Sequence, residues 1–220
     1  MTHPFPATVV IPAGTLAVSE IGGLRRVDVS AFSIGRTPVT NAQYAPCVES
    51  GRVPAPPWWS DPDFSGSDQP VVGVTWGEAA GFCEWLTSQD EGLWRLPSEA
   101  EWEWAMSGGD ELPPTPWGPA VPAGEIPEGP LRGPWRTGQG CPNAWGVLDP
   151  GTVVHEWCLD WREKESFTPA GSSEPLRRRA SRGGSWRHRV RWSPPSARSS
   201  LPPDFRYSDF GFRVLREDPG

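Results

Sequence analysis

The side chains able to hold a metal or act as nucleophiles are few and scattered. Cys47, Cys83, Cys141 and Cys158 stand singly with no Cys-x-x-Cys pair, and the histidines are His3, His155 and His188. Thiolate or imidazole chemistry needs such donors to converge, and the one close spacing is His155 three residues before Cys158. The cysteines therefore read as reduced and mostly buried thiols. His155, in an apolar stretch, reads as a buried histidine whose ring is satisfied locally.

Arginine is the other concentrated chemistry. Residues 177–216 hold eleven arginines against Asp204 and Asp209, a local charge of +9 that leaves −16 to the rest of a chain whose total is −7. A basic segment on an acidic body steers anionic partners toward itself. Arginine is also the usual partner of half-buried carboxylates, and Glu99, Glu101 and Glu103 supply a cluster for it within the same chain. A nucleic-acid partner is not expected, because the pI is about 5.0 and no recognised binding motif accompanies the arginines.

These residues must be positioned by short elements. With 28 Pro and 25 Gly among 220 residues, long helices cannot dominate and loops carry much of the length. Fourteen Trp and eight Phe supply a core that 36% hydrophobic residues alone would understate. Residues 8–34 read as short strands joined by turns. Thr40-x-x-Gln43, Thr75-x-x-Glu78 and Ser98-x-x-Glu101 each place a hydroxyl three residues before an amide or carboxylate, the spacing of a capping box.

Three helices should therefore start there. The first stops at Gly51 and is short or kinked by Pro46. The second buries Ala79, Phe82, Cys83 and Leu86, and the third buries Trp102, Ala105 and Met106 before Gly108-Gly109 ends it. Residues 110–140 read as irregular but packed, anchored by Trp117 and Trp135, while 153–157 and 212–215 read as strands. No apolar run reaches 18 residues, and Met1–Pro6 lacks a basic and an apolar leader region, so a membrane span and a secretory signal are not expected and the default compartment is the cytoplasm.

Seven phrases carry a resemblance. They are Ile34-Gly35-Arg36-Thr37-Pro38-Val39-Thr40-Asn41-Ala42-Gln43-Tyr44, Pro70-Val71-Val72-Gly73-Val74-Thr75-Trp76, Trp94-Arg95-Leu96-Pro97-Ser98-Glu99-Ala100-Glu101-Trp102-Glu103, Pro142-Asn143-Ala144-Trp145-Gly146-Val147-Leu148-Asp149, Glu156-Trp157-Cys158-Leu159-Asp160-Trp161, Arg182-Gly183-Gly184-Ser185-Trp186 and Gly211-Phe212-Arg213. In this order, over roughly residues 31–216, they resemble the formylglycine-generating enzyme, or sulfatase-modifying factor, domain family. The resemblance implies an α+β chain with a C-type-lectin-like fold: short strands, two or three helices and much irregular loop, forming one domain over 1–220.

What it implies about chemistry depends on single positions. The family's oxidases use two cysteines shortly after the Gly-Gly-Ser-aromatic phrase to bind copper. Here residues 187–196 read Arg-His-Arg-Val-Arg-Trp-Ser-Pro-Pro-Ser and the last cysteine is Cys158. A second branch adds a histidine-bearing helical domain that binds iron for sulfur transfer. That domain is not present, and the three histidines have no spacing suited to a two-His or three-His iron site. Val153 stands where members usually carry an oxygen-bearing calcium ligand, although backbone carbonyls near Asn143 could serve another site. The expectation is a protein that is not an enzyme, with no catalytic residue, metal or cofactor.

The remaining pattern is similar to the variable proteins of diversity-generating retroelements, whose segment from Arg-Gly-Gly-Ser-Trp to Gly-Phe-Arg is rewritten at adenine positions. Adenine-directed change of an Asn codon yields no Lys, Glu, Gln, Met or Trp. The first four of these would supply about three of the residues 187–213 at the chain's average composition and supply none, with Trp192 a fixed position. The segment 182–213 is thus the candidate variable, ligand-binding region. Arg187, His188, Arg189, Arg191, Trp192, Phe205, Tyr207, Ser208 and Asp209 are its contact residues, while Arg198 and Arg206 form internal ion pairs. The expected partner is a protein or other surface ligand, anionic ones included, met by a monomer. An enzyme with an unrecognised catalyst and a regulatory pseudo-enzyme are the alternatives.

Overall fold

The computed structural model describes residues 5–20, 23–109, 131–162, 177–188 and 194–217. Trp117, Arg189, Arg191 and Trp192 lie outside them.

The N-terminal strands β1 (Thr8–Ile11), β2 (Gly14–Glu20), β3 (Gly23–Val29) and β4 (Phe32–Gly35) follow the expected run of short strands. β2 and β3 form a two-stranded ribbon. β1 and β4 join β5 (Leu93–Arg95) and β10 (Leu215–Glu217) in an antiparallel sheet of order β1-β4-β10-β5. A second sheet has the order β8-β7-β6-β9, built from β6 (His155–Trp161), β7 (Arg179–Arg182), β8 (Arg198–Leu201) and β9 (Phe210–Gly211). In it β6 and β9 run parallel, pairing His155 with Phe210 and Glu156 with Gly211.

The helices are α1 (Asn41–Glu49), α2 (Trp76–Gln89) and α3 (Glu99–Ser107), and each begins with a complete capping box at Thr40, Thr75 and Ser98. Two of the N-terminal backbone N–H groups that a helix leaves unbonded are satisfied each time, worth about 1 kcal/mol per cap. Pro46 leaves α1 nine residues long. Gly108 closes α3 in the left-handed conformation, at φ 65°, where a side chain would be strained.

The expected helix faces are buried. Ala79, Phe82, Cys83 and Leu86 pack with Tyr44, Val71, Val74, Trp157, Phe212 and Val214. Trp102, Ala105 and Met106 pack with Ile11, Leu16, Ile34, Cys158 and Leu215. A third cluster gathers Phe64, Val72, Trp135, Val153 and Val154. Fully burying a large side chain such as Trp102 or Trp157 stabilises by roughly 2–3 kcal/mol, so these anchors fix the second sheet between α2 and α3.

Two strand boundaries differ from the sequence reading. Val153 and Val154 precede β6 as buried irregular chain, and 212–214 is a connector between β9 and β10. The connector still bonds to the first sheet's side of the molecule: Val39 N–H donates to Phe212 O and Gly35 N–H to Val214 O. Among the described residues no helix is long and apolar enough to cross a membrane.

Candidate functional site

Side chains on a strand alternate between its faces, so β6 presents His155 and Trp157 to one side and Glu156 and Cys158 to the other. On the Cys158 side the charges are closed upon themselves. Arg213 donates to Glu156 at 2.6 and 2.9 Å and to the carbonyls of Gly35 and Asp149 at 2.9 and 3.1 Å, and the Trp102 indole donates to Glu156 at 2.6 Å. Arg182 is ion-paired with Glu103, which also faces Arg198 at 3.5 Å. Away from that side, at the two ends of α2, Arg206 grips Glu78, one bond being 2.6 Å, and Arg216 reaches Asp90 at 2.9 Å. Arg198 and Arg206 thus make the internal pairs expected of them, and much of the C-terminal positive charge is neutralised by the chain's own carboxylates.

The other side is different. His155 is buried, and its Nδ1 lies 2.8 Å from the carbonyl of Gly183. A carbonyl can only accept, so Nδ1 carries the proton and Nε2 keeps its lone pair. Gly183 is held at φ 75°, and a Cβ there would lie 2.7 Å from the Gly151 Cα. Only glycine fits this turn, which is what the Gly-Gly phrase supplies. The buried Ser185 hydroxyl donates to Asp209 at 2.9 Å and lies 3.5 Å from Nδ1 of the exposed His188. The two imidazoles meet edge to face with centroids 5.1 Å apart, and Phe210 covers His155 at 4.7 Å. Burial, with a contribution from His188, lowers the His155 pKa below its ordinary value, against the opposing pull of Asp209 and the Gly183 carbonyl.

One ring nitrogen of each histidine and one oxygen of Asp209 lie within 4.8 Å of one another. This corrects the expectation that no two histidines could share a site. Residues far apart in sequence meet because β9 lies parallel against β6, with the Asp209 carbonyl accepting from the His155 backbone N–H at 2.9 Å.

The predicted contact residues divide. Phe205 and Tyr207 are exposed, their rings 6.4 Å apart. Arg187 is exposed, bonded to the Ser208 hydroxyl and lying over the half-buried Trp186 ring at 4.9 Å. His188 is at the surface. Ser208 and Asp209, expected as surface contacts, are buried: Ser208 serves as acceptor for Arg187 and for the Trp186 indole at 3.2 Å, and Asp209 for Ser185. Sequence reasoning missed His155 and Ser185. The Ser within Arg-Gly-Gly-Ser-Trp was the available signal for the second.

The cysteines take no part. Cys47, Cys83 and Cys158 are buried free thiols and Cys141 is an exposed one. Burial pushes the Cys47 thiol up to about 11, away from the thiolate form that binds metal. Asn143 is also spent on structure: its amide donates to Ala105 O at 2.8 Å and its oxygen accepts from the Trp145 and Val147 N–H groups.

Comparison with known proteins fits this architecture. The chain is 26% identical to the formylglycine-generating enzyme of Thermomonospora curvata, over 89% of this chain and 85% of that one. It is 29% identical to the mouse (Mus musculus) formylglycine-generating enzyme over 75% of this chain, where it spans about half (52%) of the relative's length. Among solved structures, PvdO from Pseudomonas aeruginosa superposes with a TM-score of 0.75 at 24% identity, covering 96% of this chain and 94% of the other. Treponema denticola variable protein 1 gives 0.73 at 24%, covering 94% of each. The fold is thus the C-type-lectin-like one of the formylglycine-generating-enzyme type.

The relatives overturn one expectation. The missing cysteine pair was read as meaning that this is no enzyme, yet the chain aligns along most of its length with proteins named as enzymes. Loss of two thiols removes one catalyst and leaves the class of protein open to another. The sulfatase-modifying factor enzyme 1-like domain matches residues 1–218, and to that family the chain belongs.

Proposed function

We propose that this chain binds a ligand on the face built from residues 182–213, with the exposed side chains of that face making the contacts and the cluster of the exposed His188 with the buried His155 and Asp209 beside them. The observation that carries this reading is the division of one short segment into two sets. Arg182, Arg198, Arg206 and Arg213 are tied to carboxylates of the body, while Arg187, Phe205 and Tyr207 are exposed to solvent. A rigid frame under exposed aromatic and guanidinium groups is what a binding face requires. The Arg187 partners, Ser208 and the Trp186 ring, are neutral, which leaves its charge for an anionic group on the ligand.

The similarity to a variable protein supports a further step: the contact positions are rewritten while the frame is kept. A survey of this locus across isolates tests it. Substitutions should concentrate at codons such as 187, 205 and 207, at positions where an adjacent imperfect repeat carries adenine, with a reverse transcriptase gene nearby. Even scatter of substitutions along the chain, with no such repeat, would remove the rewriting reading. Binding itself is then read by charge: Arg187→Ala should weaken capture of anionic peptides from a displayed library, and unchanged capture would count against the face.

A further inference from the structure

We propose that His155, His188 and Asp209 form a binding site for one divalent first-row transition metal ion. Two imidazoles and one carboxylate on one side of an ion are the donor set of non-haem iron(II) and related centres, and a set of three leaves coordination positions for exchangeable ligands.

Four observations converge on it. The donor atoms lie within 4.8 Å of one another. Bonds of about 2.1 Å to a common ion would bring them to about 3.0–3.4 Å apart, a closure of the donor set from its present spread. The Gly183 carbonyl accepts a hydrogen bond from His155 Nδ1–H and so leaves the lone pair on Nε2, an outer-shell arrangement of the kind that orients metal-binding histidines. Ser185 holds Asp209 by one oxygen, Oδ2, at 2.9 Å, leaving Oδ1 to coordinate.

Burial alone does not explain the grouping. Two imidazoles with centroids 5.1 Å apart repel each other when both are charged, and no hydrogen bond joins His188 to His155 or Asp209 among the described residues. A shared cation gives all three one common partner. Because His188 is exposed while His155 and Asp209 are buried, the open coordination positions face the surface that carries Arg187, where an anionic ligand can reach the ion. This inference goes beyond ligand binding by the face and can stand if that reading fails.

The test uses the full chain, stripped with a chelator and titrated anaerobically with Co(II) followed by visible absorption, then with Zn(II) and Fe(II) by calorimetry. Wild-type protein should take up one equivalent, with the absorption bands of Co(II) bound to nitrogen and oxygen. His188→Ala should abolish uptake while leaving the metal-free melting curve in place, because that side chain is exposed. Ser185→Ala should weaken binding by about 10–100-fold, and Arg187→Ala should leave it unchanged. Failure of the wild-type chain to bind, or equal binding by the His188 variant, overturns the site. In the locus survey His188 and Asp209 should stay constant where Arg187, Phe205 and Tyr207 vary, so loss of the metal site and loss of the variable face give different patterns.

Discussion

His155 and Glu156 are neighbours on one strand, both buried, and they show two ways of placing a polar group inside a protein. Glu156 faces Arg213 and Trp102 and is matched on both oxygens, while Arg213 spends its remaining donors on backbone carbonyls. Nothing is left over for a ligand. His155 makes one side-chain hydrogen bond and lies in a region shared with a second imidazole and a carboxylate. The first arrangement holds the two sheets and the 147–149 loop together; the second leaves bonding capacity that only something from outside can use. Saturation, more than burial, separates the structural polar centre from the functional one.

The largest effect should come from unbalancing the saturated centre. Arg213→Met leaves the Glu156 carboxylate buried with the Trp102 indole as its remaining side-chain partner, and removing one member of a buried pair costs about 3–5 kcal/mol. Urea unfolding measures it. A double variant, Arg213→Met with Glu156→Gln, should recover part of the loss because no uncompensated charge remains. A single-variant loss below about 1 kcal/mol would mean that water reaches this pair and that the contrast with His155 is one of degree.

How much of this was legible beforehand follows from the range of each interaction. The helix starts were readable because a capping box is complete within four residues: Thr40 with Gln43, Thr75 with Glu78 and Ser98 with Glu101 all form both bonds. The inward faces of α2 and α3 were readable from helical period. The site was not. Its members converge through the parallel pairing of β6 with the two-residue β9, and nothing local announces that His155 will lie beside Asp209. The same pairing buries Ser208 and Asp209, which composition placed at the surface. The arginines were half legible: their number suggested ion pairs with carboxylates, but the actual partners Glu78, Glu103 and Glu156 come from three different elements.

Tyr44 sharpens the comparison because it is buried and unsatisfied without being a site. Among the described residues its hydroxyl has no hydrogen-bond partner, and its ring packs on Phe82 at 5.3 Å and on Trp59 and Phe212 at 6.2 Å. Burial, helped by Glu78, holds the phenol well above its ordinary value of 10, so the group stays neutral. Tyr44→Phe should therefore leave stability unchanged or raise it by up to about 1 kcal/mol, read from the unfolding midpoint. A loss of about 2 kcal/mol would show that the hydroxyl has a partner, and unsatisfied capacity would then cease to distinguish His155.

The smallest effect belongs to a pair that is neither sealed nor open. Arg95 holds Glu101 at 2.7 and 2.8 Å, with about a fifth of the carboxylate side chain exposed. Burial raises the Glu101 carboxyl, and the Arg95 fork together with the Ser98 backbone and hydroxyl outweighs it, so the group sits below its ordinary 4.5. The folded state then binds its proton less readily than the unfolded chain. The stabilisation is complete above about pH 4.5 and disappears as pH falls through the lower folded value. Glu101→Gln keeps the capping box, since glutamine can accept from the Ser98 N–H, and removes the charge together with one of the two acceptors that Arg95 uses. It should cost under about 1 kcal/mol at neutral pH, given the exposure of the pair, and should flatten the acid limb of the stability profile below pH 4.5. An acid limb of unchanged slope would assign that limb to other carboxylates. An effect as large as that of Arg213→Met would show that partial exposure had not weakened the pair, leaving solvent access unable to rank the polar centres of this molecule.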